Sequence, residues 1–313
     1  MRENVWAVVV TYNRLDLLKE CIEAVQSQSE KCHILIVDNA STDNTQEYCV
    51  SLCENDINIS YKRMEKNIGG AGGFSRGMAY AVEHGAKYVW IMDDDTIPRP
   101  DALEKLVEAA GRIEAVDNHS FGFVSSEVLW VDGQPCKMNK QLTRQPIDAV
   151  ESNLSRDYGM IPVKSATFVS LLFSAETIAE CGLPIEEYFI WGDDKEYTLR
   201  VSDAHHCFKI NDSVVLHKMK NNEGSNITHD DLDRIGRYFY AYRNDYCTAK
   251  RQGLEQFVVY NIAFALNMLR VIVHAKYKKP RLETMLRGRR AGRHFNPGIK
   301  YPEVYKDKYV EKD

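Results

Sequence analysis

No two of the eight cysteines in this 313-residue chain are spaced as C-x-x-C, the pattern of many metal-binding and redox pairs. Cys21, Cys32, Cys49, Cys53, Cys136, Cys181, Cys207 and Cys247 are scattered, several on apolar faces, and read as reduced, buried side chains of a cytosolic protein. Positive charge is also short. Forty Lys and Arg against 45 Asp and Glu leave a net charge of -5, which gives no basic face for nucleic acid. Any phosphate-bearing substrate must therefore be neutralised locally. Met1 leads within a few residues into a strand-like run, leaving no room for the basic, apolar and cleavage regions of a signal peptide. The expectation is a cytoplasmic protein, with the inner face of the plasma membrane as a further location. No G-x-x-x-x-G-K-[ST] is present, so a phosphate-loop nucleotidase is excluded.

Long apolar runs are equally scarce. Only Phe257 to Ala275 approaches membrane character, and Asn261, Asn267, Arg270 and His274 interrupt it. The segment is expected to be a core or interface helix rather than one lying on a membrane surface. Lys276, Lys278, Lys279, Arg281, Arg287, Arg289, Arg290 and Arg293 follow it. That cluster suits anionic headgroups or a pyrophosphate-bearing acceptor, and it equally suits a solvated tail.

What is present is a repeat of strand and helix. Val5 to Val10, Ile34 to Val37, Ile59 to Lys62 and Tyr88 to Met92 are strand-length runs, and amphipathic helices alternate with them. This order predicts an α/β fold with a mostly parallel, doubly wound sheet. A further helix is expected over Ala102 to Ile113, strand and turn over Phe121 to Asp132, and strand-like chain over Val163 to Phe173. Short helices follow at Glu176 to Cys181 and after Trp191. Gly133 to Gly159 is polar and is expected to be a mobile loop over the site. From about Asp230 the chain reads as wholly helical, with no repeat or low-complexity linker. The expected division is 1–229 and a helical region 230–313; the first part splits near residue 100 into a ligand-binding and a catalytic half.

Asp93, Asp94 and Asp95 end the fourth strand, at the edge where open α/β sheets bind ligands. Clustered carboxylates call for a cation, and a hard divalent metal carrying phosphate oxygens fits; an Asp-rich turn ahead of Thr96-Ile97-Pro98 fits as well. Gly69-Gly70-Ala71-Gly72-Gly73 contains no G-x-G-x-x-G and does not follow the first strand, which speaks against an NAD fold. Its glycines suit close backbone approach to a ligand, or a tight turn. Asp38 is placed to bind a nucleobase or ribose, or to cap the next helix. Arg14 and Arg76 are candidates for phosphate or base contacts, or solvated surface groups. Asp193-Asp194, with Glu196, lies beside Tyr188, Phe189 and Trp191, where partial desolvation makes a better base; a plain helix start is the alternative. His217 follows a strand-like run and is either a metal ligand beside Asp93 and Asp95 or structural.

Thr11-Tyr12-Asn13-Arg14, Val37 to Asp43, Asn67-Ile68-Gly69-Gly70, Asp93-Asp94-Asp95 and Trp191 to Glu196 resemble, in this order, family two of the inverting nucleotide-sugar glycosyltransferases with the GT-A fold. NIGGAGGF and FIWGDDKEY are most similar to galactofuranosyltransferases, then to rhamnosyltransferases using dTDP-rhamnose. The resemblance covers roughly residues 4 to 220. It implies a GT-A core whose Thr11, Arg14 and Asp38 hold the uridine of a UDP-galactofuranose donor. Asn67, Gly69 and Gly70 would lie beside the sugar diphosphate, with Arg76 and Asp94 among the donor-contacting groups. It further implies Mn²⁺ or Mg²⁺ on Asp93, Asp95 and His217, Asp194 as general base, and Asp193 holding a glycan or lipid-linked glycan acceptor. The chain departs from the galactofuranosyltransferase pattern in setting Gly192 between Trp191 and the acidic pair. YFYAYRNDY, Tyr238 to Tyr246, resembles a tail element of these enzymes. Peripheral membrane contact through the C-terminal region and a homo-oligomer are compatible with this class. So, outside it, is a non-catalytic nucleotide-sugar binding protein.

Overall fold

A strand covered on both faces must be apolar along most of its length, and the first, second and fourth N-terminal runs meet this requirement, whereas Ile59–Arg63, at the edge of the sheet, is mostly polar and only partly buried. In the computed structural model, which describes residues 4–116 and 121–305, β1 (Val5–Thr11), β2 (His33–Asp38), β3 (Ile59–Arg63) and β4 (Tyr88–Asp93) are parallel neighbours in the order β3-β2-β1-β4. Helices α1 (Leu15–Gln26), α2 (Thr45–Asn55) and α3 (Gly69–Glu83) connect them. Beyond β4 come β5 (Thr96–Pro98), α4 (Ala102–Val116), β6 (Phe123–Trp130), β7 (Leu142–Thr143), α5 (Ala149–Tyr158), β8 (Ile161–Ser165) and β9 (Leu171–Ser174). Then follow α6 (Ala175–Cys181), α7 (Asp193–Ala204) and β10 (Phe208–His217).

Successive strand residues feed two cores, as the period of two requires. Val5, Ala7 and Val9 pack with Leu18 and Ile22 of α1 and Leu103 and Leu106 of α4. Val8, Val10 and Val37 pack on the other face with Phe74 and Met78 of α3 and Tyr197 of α7. The sheet runs on from β4 as β9-β6-β10-β8-β7, with β5 also on β10. Here β6 and β10 are parallel, whereas β9 is antiparallel to both β4 and β6, and β8 is antiparallel to β10. The parallel expectation thus describes the N-terminal half; the second half mixes directions because β9 enters the sheet reversed.

The expected loop over Gly133 to Gly159 is instead organised. β7 pairs with β8, and α5 is fixed by a capping box in which Asp148 accepts from the Glu151 amide and Glu151 accepts from the Asp148 amide. Only its beginning, Cys136 to Asn139, reaches the site described below.

The C-terminal region forms α8 (Tyr238–Arg251), α9 (Leu254–His274) and α10 (Lys278–Gly292). It is not helical throughout. After Gly292 the chain returns across the α/β body: the Leu183 amide donates to the Lys300 carbonyl at 2.8 Å and the Glu303 amide to the Glu83 carboxylate at 3.1 Å. Residues 306–313 of the expected tail lie outside the described residues. Nor is α9 a core helix, because among its residues only Phe264 and Val271 are buried.

Candidate active site

Strand register puts the predicted residues at one edge. Thr11 stands opposite Asp38, and Val10 opposite Asp93, so the last residues of β1, β2 and β4 end together. Thr11 Oγ1 donates to Asp94 Oδ2 at 2.7 Å, and Arg14 Nη1 spans Asp94 Oδ1 at 3.2 Å and Asp95 Oδ2 at 2.8 Å. On the other side His217 Nε2 lies 3.0 Å from Asp95 Oδ1. That oxygen is buried and has no aligned hydrogen-bond donor.

Asp38 is fully buried. Its Oδ2 accepts from the Tyr61 hydroxyl at 2.7 Å and its Oδ1 from the Ser41 amide at 2.8 Å, which shapes the turn after β2.

Three adjacent carboxyls separate electrically by their partners. Burial, then the charges of Asp95 and Asp94, push Asp93 well above the usual carboxylate range. Burial also raises Asp94, to about 6, against the pull of Arg14. Burial would raise Asp95 as well, but the close His217 imidazole and the charges of His217 and Arg14 hold it below the usual range. His217 is in turn raised to about 10: burial opposes the shift, and the close contact with Asp95 together with the surrounding negative charge overcomes it. A buried carboxylate oxygen lacking an aligned donor, beside an imidazole and further carboxyls, is an O/N donor set that fits a divalent cation.

The second acidic pair begins α7, and the loop before it is strained. Phe189 (φ 65°, ψ -61°) is the centre of a γ-turn of the rare, positive-φ hand, closed by the Ile190 amide donating to the Tyr188 carbonyl at 2.7 Å. Trp191 and Gly192 also have positive φ, 64° and 85°. Bulky residues hold such angles only where surroundings impose them. On one side α3 does so. The Ala71 amide donates to the Phe189 carbonyl at 3.2 Å, and a Cβ on Gly69 (φ +76°) would lie 2.0 Å from that oxygen. On the other side α8 does so: buried Asn244 Nδ2 donates to the carbonyls of Trp191 at 2.7 Å, Tyr188 at 2.9 Å and Ile190 at 3.3 Å. Arg243 adds donations to the Glu187 and Tyr188 carbonyls and stacks on Phe295. Burial raises the Asp193 carboxyl to about 8, with Asp194 adding to it, and burial raises Asp194 to about 6 against the Lys195 amide.

The profile of Glycosyl transferase family 2 matches residues 6–166, about half of the 313-residue chain. The chain belongs to this family. Among curated relatives of this family 2 enzyme, galactofuranosyltransferase GlfT1 of Mycobacterium tuberculosis (strain CDC 1551 / Oshkosh) is 28% identical over 266 residues, covering 82% of this chain and 85% of that one. The dTDP-rhamnosyl transferase RfbF of Shigella flexneri is 26% identical over 207 residues, 64% of each chain. The fold is shared with GalNAc-T7, solved with UDP, GalNAc and Mn²⁺ (TM-score 0.62, 13% identity, 99% of this chain), and with TarS of S. aureus (TM-score 0.52, 16% identity, 92% of this chain). This chain spans 57% and 55% of those two chains.

The family 2 site is not assembled from every predicted residue. Arg76 is exposed on α3 and pairs with Glu186 at 2.9 Å. Glu196 is buried in a two-pronged pair with Arg200 at 2.9 and 3.0 Å, a packing role. Most glycines of the α3 cluster serve contact with protein: a Cβ on Gly72 would meet Ile68, and one on Gly73 would meet Val10. Gly70 alone in that cluster faces open space. Asn67 Oδ1 accepts from the Gly69 amide at 2.8 Å, capping the turn.

Two residues escaped the sequence reading. Asn139 Oδ1 sits 2.8 Å from His217 Nδ1, and its Nδ2 donates to Thr167 Oγ1 at 2.7 Å. Fixing Nδ1 in this way turns Nε2 toward Asp95. Asn244 is the second, and the motif YFYAYRNDY that contains it now has a local role. A third group of potential ligands, Asp148, Glu151 and His206, is accounted for by the capping box and by the 2.8 Å contact of His206 with Asp148.

Proposed function

We propose that the protein is a metal-dependent inverting glycosyltransferase that moves galactofuranose from UDP-galactofuranose to a growing cell-surface polysaccharide or lipid-linked glycan. The observation that carries this reading is the Phe189 backbone, which fastens the loop bearing Asp193 and Asp194 to the first turn of α3, beside the sheet edge of Asp38 and Asp93 to Asp95. The second acidic pair is thereby tied through the start of α3, whose Gly69 carbonyl accepts from Asn39 Nδ2, to the turn that follows β2.

Thr11, Arg14 and the turn shaped by Asp38 are assigned to the nucleotide, and Asn67, Gly69 and Gly70 to the sugar diphosphate. Asp93, Asp95 and His217 would hold Mn²⁺ or Mg²⁺. Such an ion, when bound, supplies positive charge to the diphosphate leaving group. The Gly69 and Ala71 amides are taken by Asn67 and Phe189, which leaves the Gly70 amide, in open space at the start of α3, to add to it, since a helix start favours an anion. Asp194, raised to about 6, is mostly ionised at neutral pH and basic enough to take the acceptor hydroxyl proton. The acceptor oxygen bonds to the anomeric carbon opposite the departing phosphate; the bond from that carbon to the β-phosphate oxygen breaks, and its electron pair leaves with UDP. One displacement inverts the centre. Asp193, raised to about 8, retains its proton at neutral pH and can donate to a second acceptor oxygen.

The similarity to RfbF supports a second reading in which the donor is dTDP-rhamnose and the residue roles are kept. A donor panel scored by released UDP or dTDP separates the two; turnover of dTDP-rhamnose alone rejects the galactofuranosyl reading. Asp194→Asn is expected to lower turnover by about 10²- to 10⁴-fold with UDP binding retained. Unchanged function in that variant would instead assign a binding protein.

A further inference from the structure

The outward face of α9 is an extended apolar feature that the proposed reaction does not use. Its inward positions are occupied: Phe264 meets Tyr242 edge-on at 5.5 Å, Asn261 accepts from Arg289 at 2.6 Å, and the Tyr260 hydroxyl donates to the Tyr242 carbonyl at 3.3 Å. The outward positions Val258, Val259, Ile262, Leu266, Leu269, Ile272 and Val273 are between 45% and 58% exposed. They form one stripe along a helix of ~31 Å. Exposed apolar surface on the order of several hundred Å² in one piece marks an interaction site.

Charge identifies the occupant. Residues 254–293 carry nine Lys and Arg (Arg270, Lys276, Lys278, Lys279, Arg281, Arg287, Arg289, Arg290, Arg293) and two acids (Glu255, Glu283), a surplus of +7 in a chain whose net charge is -5. Arg281 is buried on the Asp230 carbonyl and Arg289 is spent on Asn261, but Lys276, Lys278 and Lys279 are exposed at the C-terminal end of α9, on either side of exposed Tyr277. A second copy of the chain would present the same positive surplus, whereas an anionic bilayer presents the opposite sign. Although α9 is long and apolar enough to cross a membrane, crossing would strip Tyr260, Asn261 and Phe264 from α8 and α10.

We propose that α9 lies in the plane of an anionic membrane, with its outward stripe in the headgroup and upper acyl region and Lys276 to Lys279 on the phosphates. The helix holds the family 2 site at the lipid surface without spanning it. This goes beyond the reaction proposed above and does not depend on the donor.

The test is flotation of the full chain with phosphatidylcholine vesicles with and without phosphatidylglycerol, read in the absence of any nucleotide sugar. Binding is expected to the phosphatidylglycerol vesicles, weakening with salt. Lys276→Ala, Lys278→Ala and Lys279→Ala together should reduce partitioning about a hundredfold, about fivefold per charge removed near the surface. Ile262→Glu with Leu266→Glu should abolish it while leaving the melting temperature and donor turnover in solution unchanged. Absence of binding to anionic vesicles, or binding that both variants retain, overturns the proposal. So does a dimer, seen by sedimentation, that Ile262→Glu with Leu266→Glu dissociates while vesicles stay unbound; that result gives the face to a second copy.

Discussion

Replacing Asn244 by alanine isolates the grip of α8 on the loop before α7. Two well-formed donations, at 2.7 Å to the Trp191 carbonyl and 2.9 Å to the Tyr188 carbonyl, disappear, and a longer one to Ile190 goes with them. The Tyr188 carbonyl keeps the Ile190 amide and Arg243 as donors, so two carbonyls, those of Trp191 and Ile190, lose theirs at about 1–3 kcal/mol each. Phe189 stays held by the Ala71 amide, and relaxation of Trp191 out of its positive-φ conformation returns about 1–3 kcal/mol. Stability should therefore fall by only about 2 kcal/mol. At about 2.1 cal/mol/K of unfolding entropy per residue over the whole chain, that lowers the Tm by about 3 °C. The effect on catalysis should be larger, because the same relaxation moves Asp193 and Asp194, and a displacement of about 1 Å at the reacting groups costs on the order of 100-fold in rate. The expected outcome is a kcat lowered about 100-fold in a UDP-release assay, with UDP affinity by calorimetry within about twofold of the parent. Asn244→Asp, which keeps the shape and sets carboxylate oxygens against carbonyls, should be worse on both counts. A Tm loss accompanied by unchanged kcat, or UDP affinity falling in step with kcat, would refute the clamp as a device that positions the base.

Gly69 and Gly70 should separate cleanly. Gly69→Ala puts a methyl 2.0 Å from the Phe189 oxygen at φ +76° and should destabilise the chain by several kcal/mol, read as a drop in Tm, whereas Gly70→Ala meets nothing within 4 Å and should fold normally. A Gly70→Ala protein that binds UDP-sugar as well as the parent would remove Gly70 from the donor site. Asn139→Ala frees His217 Nδ1 and should weaken Mn²⁺ activation by about 10- to 100-fold without altering UDP affinity measured with chelator present. The Asp193 carboxyl is raised in the folded state, so its contribution to stability is complete below about pH 4 and is lost as pH rises through about 8. Asp193→Asn should accordingly raise the Tm at pH 8 and leave it nearly unchanged at pH 4; equal shifts at both would show that burial does not perturb this group. Turnover of the parent should rise as pH passes about 6, where Asp194 ionises.

The strands and the edge of the sheet were legible because burial on both faces writes itself as continuous apolar sequence, and Thr11, Asp38 and Asp93 each end such a run. Motif order carried the family. Contacts made between distant segments were not legible: Asn139 and His217 meet across 78 positions, and Asn244 and Tyr188 across 56. A short amide side chain gives no local signal of such a task. The α3 glycines invited a ligand because glycine permits any close approach, and their sequence does not say that the approaching group is the Phe189 backbone. The α9 segment was read as a core or interface helix from its polar interruptions. Asn261 does bury against Arg289, yet its apolar neighbours face outward.

The two-sided hold on Phe189 has a consequence for how the chain matures. Gly69 belongs to the third βα unit and Asn244 to the helices at the far end of the sequence, and each supplies one side of the hold on the loop between them. During synthesis α3 is made before α8, and in that interval the Asp193-Asp194 loop is held on its α3 side alone. Competence to transfer a sugar would then arise late and all at once, when the C-terminal helices dock, so that an unfinished chain holding a nucleotide sugar could not discharge it onto a stray hydroxyl.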